Sequence, residues 1–184
     1  MHAIVAQSGA VRLECAAKGR QMDEPCTLAI RRTESGYLFR VVGRGTMQAS
    51  PTVQEFVCSA LDDGADVVLD LSACEYLDST FLGCLLILDK RGSGAPGSFA
   101  VHASDLVRQK LLHKARLQHV LTFADDCPEC FGIPVTLEVS DVERTEFCQH
   151  LLLTHRRLAE LGGPAAPKFR AIAAQLAREL GNIS

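Results

Sequence analysis

The stretch Asp66-Val67-Val68-Leu69-Asp70-Leu71 constrains this chain more than any other. Its apolar centre lacks polar alternation, the mark of a strand covered on both faces, and such strands belong to sheets that carry packed helices. After a loop over Ser72 to Leu77, the run Thr80 to Asp89 is nearly all apolar and predicts a heavily packed helix. With 47% hydrophobic residues, 5% aromatics and no Trp, the core these two segments enter must be aliphatic.

The flanking sequence extends the pattern both ways. Thr27 to Arg32 and Tyr37 to Val42 read as strands joined at Glu34-Ser35-Gly36, a hairpin. Ser50-Pro51 opens a helix with Val53, Phe56, Val57, Ala60 and Leu61 on one face, and Asp62-Asp63-Gly64 stops it. Arg91 to Gly97 is a breaker and Ser98 to His102 a short strand. Ser104 or Asp105 caps a helix reaching about His113, and Val120 to Phe123 is a last short strand. This order implies an α/β domain over 26–124, a small mixed β-sheet with helices mainly on one side.

Outside that domain the patterns change. Residues 1–25 lack sustained periodicity and read as an N-terminal tail or extra strand; Met22 is a possible alternative start. Residues 125–140, which contain Cys127, Pro128, Cys130, Gly132 and Pro134, read as a linker. Over 141–184, Glu143 to Leu161 and Pro167 to Leu180 predict a C-terminal helical hairpin turned at Gly162-Gly163-Pro164. Phe147, Leu151, Leu158 and Leu161 stripe one helix, and Phe169, Ile172, Leu176 and Leu180 the other. Two short helices cannot bury such stripes alone, so they should pair and dock on the domain or on a second copy, as a homodimer.

The formal net charge of -3 over 184 residues argues against a nucleic-acid binder, which normally carries a basic face. No apolar run has the length of a membrane span, and Arg12 and Glu14 interrupt any N-terminal leader, so a cytoplasmic protein is expected. Eight cysteines spread over a chain of this kind do not form a disulfide framework, and Cys58, Cys74 and Cys84 read as small buried hydrophobes. There is no Gly-rich phosphate loop, nucleophile elbow or paired-carboxylate constellation, so neither an enzyme nor a cofactor is expected. Cys127 and Cys130 form one C-x-x-C, which Cys148 and His150 would complete as a zinc set. A second spaced pair is missing, and no metal is expected. His150 and His155 are five apart and diverge on a helix, while Glu146 and His150, four apart, read as a solvated pair.

Between strand and helix lies the most specific local pattern: Val67-Val68-Leu69-Asp70-Leu71, then Tyr76-Leu77-Asp78-Ser79-Thr80-Phe81-Leu82-Gly83. Strand, short loop, Asp-Ser-Thr and the following Leu-Gly together resemble the signature of the STAS domain family, which includes bacterial anti-sigma factor antagonists. The resemblance covers roughly Cys26 to Phe123. It departs from the pattern at Phe81, where antagonists often have Gly. It implies a regulatory protein-binding domain whose partner is an anti-sigma factor that is also a histidine-kinase-like serine kinase. By the same resemblance Ser79 is the phosphorylated residue, with Thr80 secondary, and Asp78, Ser79, Thr80 and Phe81 form the contact surface.

Physical chemistry supports a switch at that place. Asp78 is positioned to cap the helix, and free backbone N–H groups gather around Ser79. A phosphate there adds about -1.5 to -2 charges. A helix start tolerates that anion, whereas an apolar or acidic partner surface does not. A non-phosphorylated scaffold or sensor, using its C-terminal helices to dimerise or bind a metal, is the alternative.

Overall fold

In the computed structural model, which describes residues 26–113 and 116–181, β1 (Thr27–Arg32) and β2 (Gly36–Gly45) form the expected antiparallel hairpin. The expected tail, 1–25, lies outside the described residues. β3 (Asp66–Asp70) runs parallel to β2, with Leu69 opposite Phe39, and β5 (Phe99–His102) runs parallel to β3. Helix α1 (Ser50–Asp62) links β2 to β3, and α2 (Ser79–Gly92) precedes β5.

Two strands arise where none was expected. Cys74 to Leu77 is β4, parallel to the end of β2, inside the segment read as loop. Phe131 to Leu137 is β6, antiparallel to β1, inside the segment read as linker. Among the described residues the sheet therefore has six strands in the order β5-β3-β2-β1-β6, with β4 paired to β2 off that path. Pro134 is compatible with β6 because an edge strand has one side free of ladder bonds. Conversely, the strand expected at Val120 to Phe123 shrinks to a bridge between Phe123 and Val101 beside a 3₁₀ turn at Leu117–His119.

Along the end of β2, buried Phe39 and Val41 alternate with exposed Arg40 and Val42. Helices cover the Phe39 face: Val53, Val57 and Leu61 of α1 and Phe81, Leu85 and Leu88 of α2 join one aliphatic core with Leu69 and Val101. Complete cover on both faces does not hold for β3, since Val68 is only half-buried on the opposite side. Ser104 caps the short α3 (Asp105–Val107), which continues as a π-helical turn over Arg108–Leu112.

The C-terminal prediction holds closely: α4 (Arg144–Glu160) and α5 (Ala166–Gly181) pack together, and α4 lies on α2. Gly83 sets that crossing. A Cβ there would stand 2.4 Å from the Thr154 carbonyl oxygen, so only glycine admits the α4 backbone this close. Among the described residues, no helix is long and apolar enough to cross a membrane.

Candidate functional site at the start of α2

Asp78 is the N-cap of α2, with extended backbone at φ -83° and ψ 174°. One carboxylate oxygen accepts from the Phe81 amide at 2.8 Å, the other from the Met47 amide at 2.7 Å. Its own amide donates to the Gly45 carbonyl at 3.1 Å. A single side chain and its backbone thus tie together the end of β2, the turn before α1 and the first turn of α2. That arrangement follows from sequence locally, since Asp at a helix start satisfies otherwise unpaired amides.

Ser79 follows, half-buried at the rim. Its hydroxyl oxygen lies 3.3 Å from Nε2 of His155, on α4. Nδ1 of the same ring is 2.8 Å from the Leu151 carbonyl, which can only accept. Nδ1 therefore carries the proton in the neutral ring, Nε2 is bare, and the Ser79 hydroxyl donates. The His155 side is buried, with its ring packed against Phe169 of α5 at 6.0 Å between centroids.

A second contact of the same kind lies beside it. Ser50, the first residue of α1, is fully buried, and its hydroxyl is 2.7 Å from His150 Nε2 and 3.2 Å from the Met47 carbonyl. Burial, helped by His155, pushes His150 down to about 4, so it is neutral at ordinary pH. The expectation of a solvated Glu146–His150 pair fails for this reason: His150 points inward to α1. The two histidines do diverge, as five-residue spacing requires, but each meets the serine that opens a different helix. Spacing within α4 gave no signal of this, because the partners lie 100 and 76 residues away in the chain.

The expected contact residues separate by accessibility. Asp78 and Ser79 are half-buried, Thr80 is 3% exposed, and Phe81 is fully buried. Phe81 belongs to the core, where it fills space left by Gly45: a Cβ on Gly45 would stand 3.1 Å from the Phe81 ring. Half-buried Leu82 flanks Ser79 instead.

The zinc candidates are not brought together. Among the described residues, no group of three or more His, Cys, Asp or Glu is arranged to hold a metal. Cys127 is exposed near the Arg40–Asp70 ion pair, whose Nε–Oδ2 distance is 2.7 Å, while His150 engages Ser50. Burial and the Asp70 charge raise the Cys127 thiol, against the opposing pull of Arg40, so it is no activated thiolate. Cys130 points its thiol at the Pro128 carbonyl.

A parallel strand, a capped helix and a buried aspartate at the strand end thus recur in the order that the motif predicts. The family model described as "Mlab, STAS domain" matches residues 28–122. The chain belongs to the STAS domain family. That match stops before β6, so β6, α4 and α5 lie outside it. Among solved structures, an anti-sigma factor antagonist from Mycobacterium paratuberculosis is similar at 22% identity and a TM-score of 0.47. That alignment covers 55% of this chain and 87% of that one. The unphosphorylated anti-sigma factor antagonist SpoIIAA is similar at 15% identity and a TM-score of 0.44, covering 54% and 89%. No curated protein matches.

Proposed function

We propose that this STAS protein is a protein-binding regulator of the anti-sigma factor antagonist type, with Asp78, Ser79 and Leu82 at its contact surface. Phosphorylation of Ser79 by a partner anti-sigma kinase switches that surface. The supporting observation is the position of Ser79: a hydroxyl at the rim of a helix start that Asp78 holds rigid from two sides. A dianion there meets the free amides of the first turn and leaves the core untouched, while any surface resting on it is repelled. Thr80, being buried, is the secondary site only if the first turn opens.

The test is direct. Incubation with ATP and a histidine-kinase-like anti-sigma factor should label the peptide containing Ser79, and Ser79→Ala should abolish the label. Ser79→Asp should fold normally and lose at least tenfold in affinity for that partner, about 1.4 kcal/mol. Tight binding by Ser79→Asp would sink the switch. One observation favours a second reading, a non-phosphorylated scaffold or sensor that dimerises through its C-terminal helices: the Ser79 hydroxyl is already engaged by His155. Light scattering of the full chain, together with an unlabelled Ser79 peptide, would favour that reading if a dimer is found.

A further inference from the structure

We infer that α4 is a built-in cover for the Ser79 surface, so that the α4–α5 hairpin must lift from α2 before a partner or kinase reaches that hydroxyl. This inference rests on the reading of Ser79 as the contact surface. Three grips hold the cover. His155 takes the Ser79 hydroxyl at 3.3 Å, His150 meets Ser50 at 2.7 Å, and the Thr154 backbone sits against Gly83. All three lie within one and a half turns of α4, and all three land on the starts of α1 and α2 or on the first turns of α2.

The make-up of this seam is that of a reversible contact. The residues α4 buries are His150, Thr154, His155 and Leu158, three of them polar, while Leu151 and Leu152 are only half-buried and Leu153 is exposed. A helix committed permanently to a core presents its leucines inward. Two of the inward contacts, from His150 and His155, are hydrogen bonds to serine hydroxyls, which water or another protein's polar groups can replace with little net change, while Leu158 alone carries α4 into the aliphatic core. The displaced helix also leaves a defined footprint: two serine hydroxyls and a flat glycine seat. That footprint fits a partner helix carrying small and polar side chains, which would compete with α4 for the same place.

The cover and the phosphate exclude each other. With Ser79 and His155 in direct contact, no room remains for a phosphate while α4 stays seated. Once modified, Ser79 keeps α4 from closing again.

The experiment uses the full chain with a reporter, Ser79→Cys, whose alkylation by iodoacetamide is followed by peptide mass spectrometry alongside peptide-resolved hydrogen exchange. The reporter alone should label at least about tenfold more slowly than exposed Cys127. Adding Gly83→Val, which forces α4 away, or Thr154→Arg, which does so from the α4 side, should bring labelling close to the Cys127 rate. The amides of β2 and β3 should stay protected in at least the Thr154→Arg arm. Fast labelling of the reporter alone overturns the cover. So does labelling that tracks only global unfolding in every arm, since the hairpin then never lifts by itself. If the cover lifts as described, yet Ser79→Asp leaves affinity for an anti-sigma kinase unchanged in the opened chain, the cover stands and the contact reading fails. An exposed reporter combined with Ser79→Asp-sensitive binding gives the reverse.

Discussion

Asp78 shows how much one residue can organise. Its two carboxylate oxygens serve the Met47 amide in the turn before α1 and the Phe81 amide in α2, so removing them orphans both N–H groups. Asp78→Ala should cost about 1–2 kcal/mol in urea unfolding, at the upper end for an N-cap. His150 gives a pH signature. Its folded value near 4 lies below the ordinary 6.5 of an unfolded chain, so the unfolded state takes up the proton first. Stability is therefore full above about pH 6.5 and falls as pH drops toward about 4, by something on the order of 2 kcal/mol. Urea midpoints measured across that window should show the loss, and His150→Gln should flatten it. The role of Asp78 is legible in the sequence because capping is a local property. The roles of the two histidines are not, because their serines are brought near only by tertiary packing.

Among elements, the β2–α2 seam explains the departure at Phe81. The ring needs volume, and Gly45 on β2 supplies it. Gly45→Ala would bring a methyl within 2.6 Å of Leu77 and 3.1 Å of Phe81, costing about 1–3 kcal/mol by overpacking. Combined with Phe81→Leu, its effect should be less than additive, a coupling that a double-mutant cycle in denaturant would measure. Long or strongly periodic elements are legible from sequence: α1, α2, β3 and both C-terminal helices lie within a few residues of expectation. β4 escapes because its four residues have exposed Glu75 and Tyr76 between buried ends, leaving no alternation to read. β6 escapes because Gly132 and Pro134 look like turn chemistry, yet an edge strand tolerates both.

At the scale of the molecule, the layers run sheet, then α1 and α2, then α4, then α5. The outermost pair is attached through a mixed seam, His150, Thr154 and His155 beside Leu158, whereas the inner two layers supply most of the aliphatic core. Hydrogen exchange at low denaturant should therefore release α4 and α5 at a lower free energy than β2, β3 and α2. A single common opening energy for all elements would contradict this.

The sheet does not end where the STAS match ends. β1 receives its outer neighbour from residues 131–137, beyond position 122, and that neighbour also borders Leu28 and Ile30. A chain shortened to Ala124 would leave the backbone ladder of β1 raw and open to pairing with other copies, the hazard of any long unprotected border. Shortened at Val142 instead, the same chain retains its hem. Sedimentation of the two should show clumping in the first and far less in the second, so the tidy boundary of the family is the wrong place to cut.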